Sequence, residues 1–244
     1  MKPRQRELHA STDSRSDERA DVVRVVESQT CCDDAWEAAY QRFETPEEEI
    51  AKFTRRLVTL GHRQWPRDSR IVELFCGRGN GMVALKRLDF NHLEGVDLSA
   101  SLLAEYRGPA KCYLADCRRL PFDDASKDVL IAQGGLHHLP RLPDDLEAVL
   151  IEVHRVLRPG GRFAVVEPWL TPFLSMVHGV CKVSLARKLW ARLDALATMN
   201  ELEHPVYGCW LGQPREILKR FDQRFAVERR KKAWGKLYYV GRKV

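Results

Sequence analysis

One acidic residue and three glycines lie in a single short stretch of the chain, residues 71–82. An apolar run at residues 71–75 contains Glu73 and leads into glycines at alternate positions, Gly77, Gly79 and Gly81. Helix-compatible sequence follows directly, so the pattern predicts a buried strand, a tight turn and a helix N-terminus. Because glycine has no Cβ and tolerates positive φ, such a turn lets a ligand approach the backbone closely.

The composition of the turn narrows the kind of ligand. A dinucleotide-binding turn has the pattern GxGxxG, but Met82 occupies the sixth position counted from Gly77, where the last glycine is required. Glu73 would also place a carboxylate near a pyrophosphate, which prefers hydrogen-bond donors and a helix N-terminus. These features disfavour an NAD(P)-dependent oxidoreductase, which remains the alternative. They favour a cationic nucleoside without phosphate.

The elements around the turn alternate between strand and helix. The run at residues 71–75 is followed by four more short apolar runs, each of which ends at or just before a polar residue. These polar residues are Asp97, Asp116, Gln133 and Glu167. An amphipathic helix is predicted at residues 144–157, and a basic hairpin at residues 224–241. Alternation of this kind indicates an α/β fold with helices on both faces of a parallel sheet. We predict a doubly wound, seven-stranded sheet, mostly parallel, that ends in an antiparallel hairpin.

Four ordered motifs resemble those of class I S-adenosylmethionine-dependent methyltransferases. They are Glu73-x-x-Cys76-Gly77-x-Gly79-x-Gly81, then Asp97, then Asp116-Cys117, and finally Leu157-Arg-Pro-Gly-Gly161. The closest similarity is to the methyltransferase type 11 group, which includes enzymes of ubiquinone and menaquinone biosynthesis. The resemblance implies a Rossmann-like fold and an enzyme that uses S-adenosylmethionine.

The same resemblance implies a cofactor site drawn from the turn and the strand ends. Its members are Glu73, Cys76, Gly77, Gly79, Gly81, Asp97, Leu98, Asp116, Cys117, Gln133 and Gly134. In this scheme Asp97 accepts hydrogen bonds from the ribose hydroxyls, Asp116 accepts one from the adenine amino group, and Glu73 attracts the amino end of the cofactor. Cys76 departs from the usual small residue, but cysteine is small enough for the turn.

The resemblance also implies where a methyl acceptor would bind, above the fourth strand. His137 and His138 follow that strand, and a histidine could remove a proton from the acceptor. We prefer His138 as this base, with His137 as the alternative and Glu167 as a further candidate. Alignment alone could instead supply most of the acceleration. Apolar residues at 169–177 suggest a hydrophobic or aromatic small molecule methylated at oxygen or carbon, although these residues could equally pack in the core.

Three regions are predicted along the chain. Residues 1–30, rich in charged residues and serine, form a disordered or weakly ordered tail. Residues 31–66 form helices that cap the site. Residues 67–244 form the methyltransferase domain, with a helical insertion at about residues 168–212.

Charge and cysteine usage limit the partners and the location. The net charge is +6, and residues 214–244 alone carry 11 Lys/Arg against 3 Asp/Glu. A basic end could hold RNA or a protein on an inactive cofactor-binding scaffold, but no aromatic RNA-binding motif accompanies it.

The seven cysteines show no CxxC pairs, so we expect no metal site and a reducing cytoplasm. No signal peptide or membrane span is expected, and the sequence indicates no particular oligomeric state.

Overall fold

The computed structural model of the protein describes residues 21–28 and 34–244, apart from the side chain of His204. These residues form one eight-stranded sheet with the order β1-β4-β3-β2-β5-β6-β8-β7. The strands are β1 Val22–Arg24, β2 Arg70–Leu74, β3 His92–Asp97, β4 Lys111–Leu114, β5 Lys127–Gln133, β6 Leu157–Pro168, β7 Ala226–Ala233 and β8 Lys236–Arg242. Every pairing is parallel except those of β8, which runs antiparallel to β6 and β7.

The predicted α/β class is confirmed, with a mostly parallel sheet and an antiparallel C-terminal hairpin. The predicted number of seven strands is wrong, because β1 adds an eighth. This three-residue strand pairs with the outer edge of β4, where Val22 lies opposite Cys112. It falls within residues 1–30, for which we predicted a disordered or weakly ordered tail. Two or three apolar residues give no periodic signal, and the strand forms because it completes an open sheet edge. Residues 1–20 and 29–33 lie outside the described part of the chain.

The helices alternate with the strands and cover both faces of the sheet. They are α1 Asp34–Phe43, α2 Pro46–Leu60, α3 Asn80–Arg87, α4 Ala100–Leu103, α5 Asp144–Val156, α6 Pro172–Cys181, α7 Ser184–Leu189, α8 Ala191–Leu202, α9 His204–Gly212 and α10 Pro214–Arg224. Alternate residues of β2 enter two different cores, Val72 and Leu74 on one face and Ile71 on the other. This burial on both faces explains the continuous apolar runs of the central strands.

Local sequence determines the ends of α2. Thr45 and Glu48 form a reciprocal capping box, in which each side chain accepts a hydrogen bond from the other residue's backbone N–H. Pro46 follows at the first helical position, and Gly61 ends the helix with a φ of 83°. Such caps satisfy backbone groups that a helix end would otherwise leave without partners. Capping residues within the local sequence therefore account for both ends of the helix.

Ion pairs join the N-terminal helices α1 and α2 to α8, which lies between β6 and α10. Arg42 of α1 lies 3.5 Å from Asp194 of α8, and Arg192 of α8 pairs with Glu48 of α2. The segment between β6 and α10, for which the sequence predicts an insertion, is therefore tied to the segment predicted to cap the site. Within residues 21–28 and 34–244 no helix is long and apolar enough to cross a membrane.

Candidate active site

The glycine turn between β2 and α3 is built from three glycines with different surroundings. A Cβ on Gly79 would lie 2.3 Å from the ring of Tyr106, and one on Gly81 would lie 1.8 Å from the carboxylate of Glu73. Gly77 has a φ of 50°, and a Cβ added there would come no closer than 3.8 Å to its nearest neighbour, Leu102 Cδ1. Gly79 and Gly81 are therefore required by the packing of the protein itself. Of the three glycines, only Gly77 has open space beside it for a ligand.

Buried polar atoms without partners lie close to this turn. Glu73 is 3% exposed, and its Oε2 atom makes no hydrogen bond. Gln133, at the end of the neighbouring strand β5, is close enough to lower the pKa of Glu73, but both of its amide atoms lack a partner at hydrogen-bond geometry. Unsatisfied buried groups are rare in folded proteins and indicate a missing partner. Three such atoms at the ends of adjacent strands fit a polar ligand with both donors and acceptors.

The carboxyl group of Glu73 is poised to respond to a cation. Burial, and then repulsion from Glu49, raises its pKa from 4.5 to about 8. A carboxyl group in such a site is largely protonated at neutral pH, and an ammonium group placed against it would favour ionisation. The burial and raised pKa of Glu73 therefore suit a ligand that brings a positive charge to this side of the turn.

Asp97 lies at the end of β3 and supports the turn directly. Its Oδ2 atom accepts a hydrogen bond from Gly77 N at 2.8 Å, and its Oδ1 atom accepts one from Ser99 N at 2.8 Å. Burial raises the pKa of this carboxyl group, while the backbone donors oppose the shift. A carboxylate has about four lone-pair sites, so two remain for further donors such as a pair of ribose hydroxyls. Leu98 follows, and its carbonyl oxygen accepts a hydrogen bond from Ser28.

Asp116 is more occupied than the sequence suggests. Arg118 donates to both of its carboxylate oxygens, through Nε to Oδ1 at 3.0 Å and through Nη2 to Oδ2 at 2.6 Å. Although burial raises the pKa of Asp116, the bonds from Arg118 hold it below its usual value. Arg118 also binds Asp145, at 3.0 Å. An adenine amino group would therefore compete with Arg118 for the same carboxylate.

The two cysteines of the predicted site are packing residues. Cys76 belongs to the core cluster on one face of the sheet and Cys117 to the cluster on the other. The pKa of the Cys76 thiol is raised by its contact with Cys112 and by burial, and burial raises that of Cys117. A thiol with a raised pKa is a poor nucleophile. Any role in cofactor binding is therefore confined to backbone atoms and shape.

The three candidate catalytic residues form one cluster above β5 and β6. Glu167 is fully buried, and its Oε1 atom accepts hydrogen bonds from Gly135 N and Leu136 N, each at 2.9 Å. Its Oε2 atom lies 2.7 Å from His137 Nδ1. The carboxylate can only accept, so His137 carries its proton on Nδ1 and leaves Nε2 as an acceptor. Gly134, one residue after β5, borders open space, since a Cβ added to it would have no described neighbour within 4 Å.

His138 stacks beside His137 with their ring centroids 4.1 Å apart, and it meets the edge of Trp36 from α1. Burial, and then the charge that His137 can carry, lowers the pKa of His138 well below 6.5. No carboxylate within the described residues lies closer to His138 than Glu203, at 3.9 Å. The sequence-based preference for His138 therefore differs from the geometry, which gives His137 the orienting partner.

Sequence reasoning missed Glu203, which the insertion supplies from the junction of α8 and α9. Its carboxylate lies 3.8 Å from His137 Nε2, and burial raises its pKa. Atoms of His137, His138 and Glu203 lie within 4.8 Å of one another, so the donor set of a metal centre is present where the sequence predicts none. Burial, and then Arg56, lowers the pKa of the nearby Lys236 to about 7. No sequence pattern marks Glu203, because it is brought to the histidines only by the fold of the insertion.

Replacing Glu73 with glutamine tests the poised carboxyl group. Because the pKa of Glu73 is raised from 4.5 to about 8 in the folded protein, the fold is compatible with the protonated carboxyl group and is destabilised by the ionised one. The contribution of this group to stability is therefore fully present below pH 4.5 and is lost as the pH rises through 8. The Glu73→Gln variant should therefore melt several degrees above wild type at pH 8, and much closer to it at pH 5. A wild-type melting temperature that responds to pH no differently from the variant would contradict the assignment.

Comparison with known proteins finds a methyltransferase domain in this part of the chain. The sequence model described as a methyltransferase domain matches residues 72–165, which include the glycine turn, Asp97, Asp116 and the histidine pair. A ubiquinone/menaquinone biosynthesis C-methyltransferase of Rubrivivax gelatinosus is 34% identical over 49% of this chain and 54% of its own length. A 27-O-demethylrifamycin SV methyltransferase of Amycolatopsis mediterranei is 32% identical over 52% of this chain and 48% of its own length. The chain thus spans about half the length of these curated relatives.

A longer match covers most of the chain. The methyltransferase GfsG of Streptomyces halstedii is 27% identical over 74% of this chain and 70% of its own length. Among solved structures, a protein from Pyrococcus horikoshii superposes with a TM-score of 0.61, at 18% identity, over 81% of this chain and 92% of its own. A methyltransferase from Methanosarcina mazei superposes with a TM-score of 0.51, at 20% identity, over 75% and 96%. The chain therefore contains a segment, residues 72–165, that matches a methyltransferase domain, and its fold is that of these two solved structures.

Proposed function

We propose that the protein transfers a methyl group from S-adenosylmethionine to an oxygen or carbon atom of a small hydrophobic or aromatic molecule. The observation that carries the proposal is the set of polar atoms around Gly77: the unpaired carboxylate oxygen of Glu73, the unpaired amide of Gln133 and the two-sided carboxylate of Asp97. These groups offer acceptors and a counter-charge to a cationic nucleoside.

Each of these residues has a distinct part in holding the cofactor. Asp97 offers its remaining lone pairs to the ribose hydroxyls, and Glu73 balances the charge of the amino group. The open side of Gly77 lets the ligand approach the backbone. When bound, S-adenosylmethionine would supply an electrophilic methyl group on a sulfonium. The protein must then hold the acceptor in line with that group and exclude water.

His137 is the proposed base for the acceptor. Its Nε2 atom is free to accept a proton because Glu167 fixes the hydrogen on Nδ1, at 2.7 Å. As the acceptor loses its proton, the imidazolium that forms is stabilised by the buried carboxylate of Glu167 and by Glu203 on the opposite side. His138 shapes the pocket through its contact with Trp36. Glu167 is thus a positioning residue in this scheme.

The surroundings of His137 support a flat or apolar acceptor. Tyr207 from α9 meets its ring edge-on at 5.8 Å, and Trp36 stands over the neighbouring His138. Aromatic rings present large apolar surfaces with defined geometry. The names of two relatives place methyl transfer at carbon in one and at the 27-oxygen of a rifamycin in the other.

A reducing cytoplasmic location is part of the same proposal, supported by the free, buried thiols of Cys76, Cys112, Cys117 and Cys181.

The alternative functions have less support. The matched relatives described above are named as methyltransferases, which does not favour an oxidoreductase. A scaffold that holds RNA through the basic C-terminal hairpin would need its positive side chains available. Asp222 and Glu228 instead bind Arg230 and Arg242 of that hairpin. Only part of its positive charge, including Lys231 and Lys232, stays exposed.

A labelled-methyl assay tests the proposed function. The protein is incubated with S-adenosylmethionine carrying a tritiated methyl group and with three separate acceptor pools: an organic-soluble metabolite extract, total RNA and total protein. We expect label in the metabolite extract, and the same yield in the presence of EDTA because the histidine cluster moves protons. Label confined to RNA or protein would contradict the acceptor class. Activity lost with EDTA and restored by a divalent metal would reassign His137, His138 and Glu203 to a metal centre.

A further inference from the structure

Helices α6 and α7 expose an unusual amount of apolar surface. Of the 15 large apolar side chains that are exposed in the described residues, eight fall within residues 170–190. They are Leu170, Phe173, Met176, Val180, Val183, Leu185, Leu189 and Trp190. Leu185, Leu189 and Trp190 are 65%, 79% and 60% exposed. Large contiguous apolar patches on the exposed surface of a protein mark interaction sites.

The patch extends from one element to the next. Phe173, Met176 and Val180 lie at helical spacings of three and four, so they share one face of α6. Phe173 meets the ring of Trp234 edge-on at 5.3 Å, which joins the β7–β8 turn to this face. α7 and the residues on either side of it add the other apolar side chains.

Positive charge accompanies the apolar side chains. Residues 182–192 contain four basic residues and no acidic one. Arg187 and Arg192 bind acidic side chains of other elements, Asp194 at 2.9 Å and Glu48 respectively. Lys182 and Lys188 are exposed and make no ion pair with any described residue. Beside Trp234, the exposed lysines Lys231 and Lys232 extend the positive rim.

We propose that the face formed by α6, α7 and the β7–β8 turn binds the surface of an anionic lipid bilayer. Short helices with apolar side chains, tryptophan and lysine lie in the membrane interface with the apolar groups inserted among the acyl chains. Each lysine near an anionic surface strengthens the attraction of the protein to that surface. The absence of a membrane-spanning helix in the described residues agrees with binding at the surface. This inference does not rest on methyl transfer.

A second copy of the chain is a poorer occupant of the same face. In a two-fold dimer the same patch lies on both subunits, so Lys182 and Lys188 of one subunit would approach those of the other. Lysine is also depleted at protein–protein interfaces. Phosphatidylglycerol and similar headgroups provide the negative charge that this face lacks.

Vesicle co-sedimentation tests the proposal. Wild-type protein should bind vesicles of phosphatidylcholine mixed with phosphatidylglycerol, and should bind pure phosphatidylcholine much more weakly. The double variant Leu189→Ser/Trp190→Ser should bind the anionic vesicles at least tenfold more weakly, since it removes two large apolar side chains that would otherwise leave water for the acyl chains. The double variant Lys182→Glu/Lys188→Glu should lose the preference for anionic vesicles. High salt should weaken wild-type binding.

The matched control is Val58→Ser/Ile151→Ser, which removes two aliphatic side chains of similar exposure, 51% and 46%, from α2 and α5. Its vesicle binding should equal that of wild type. Failure of wild type to bind anionic vesicles, or equal loss in the control, would overturn the proposal. A wild-type dimer in solution that becomes monomeric in Leu189→Ser/Trp190→Ser, without vesicle binding, would assign the face to a second copy.

Discussion

Replacing Asp97 with alanine is expected to weaken the binding of S-adenosylmethionine by about 100-fold or more, because each hydrogen bond to a charged group contributes about 1.5–3 kcal/mol. In the proposed site Asp97 accepts two such bonds from the ribose, and the alanine variant can accept neither. The loss of the acceptor for Gly77 N, now bonded at 2.8 Å, also loosens the turn that the ligand must approach. Isothermal titration calorimetry of wild type and variant measures the change directly.

Two comparisons separate binding from folding in that experiment. Asp123→Ala removes an exposed carboxylate from a loop and should leave the affinity within about twofold of wild type, because exposed charges interact weakly. The Asp97→Asn variant keeps an acceptor for one backbone donor. Its affinity for S-adenosylmethionine should therefore lie between those of wild type and Asp97→Ala. An Asp97→Ala protein that melts like wild type and still binds with wild-type affinity would remove this residue from the site.

Replacing Glu167 with glutamine is expected to lower kcat by about 10²–10⁴-fold, the range typical of a lost general base. The amide oxygen of the new side chain would continue to accept from Gly135 N and Leu136 N, which now bind Glu167 Oε1 at 2.9 Å. The amide nitrogen would then face His137 Nδ1 and donate to it. This forces the hydrogen of His137 onto Nε2, the atom that must accept the proton of the acceptor.

Nitrogen chemical shifts of the histidine rings report this tautomer without any acceptor. We expect the Nδ1–H form of His137 in wild type and the Nε2–H form in Glu167→Gln, with cofactor affinity unchanged in both. With an acceptor from the labelled-methyl assay, His137→Ala should reduce kcat more than His138→Ala. A larger loss in His138→Ala, or full activity in Glu167→Gln, would return the role of base to His138 or to alignment alone.

The parts of the structure that the sequence predicted depend on local patterns. Thr45, Pro46 and Gly61 define a helix through capping chemistry that acts within a few residues. The strand at residues 70–74 and the glycine turn follow from an apolar run and from side chains too large for the space, as at Gly79 and Gly81. The position of Asp97 at the end of β3 follows from the lengths of α3 and β3, the two elements that come after the turn. Such features need no knowledge of distant contacts.

The parts that sequence reasoning missed depend on contacts between distant segments. Glu203 reaches His137 only because the insertion folds back over β5, and Arg118 occupies Asp116 because the chain turns sharply after β4. Our proposal of His137 in place of His138 depends on the contact of His137 with Glu167, 30 residues further along the chain. The three residues of β1 were too few to form a pattern. Periodicity does not encode any of these pairings.

The central claim is that the turn at Gly77 binds a cationic nucleoside, and one calorimetric measurement tests it most directly. S-adenosylmethionine is titrated into wild-type protein at pH 7 in two buffers with different ionisation enthalpies. We predict binding with release of close to one proton, because the amino group of the ligand ionises a Glu73 carboxyl whose pKa is raised to about 8. Glu73→Gln should release none. No binding by the folded protein, or binding of NADH in its place, would contradict the account.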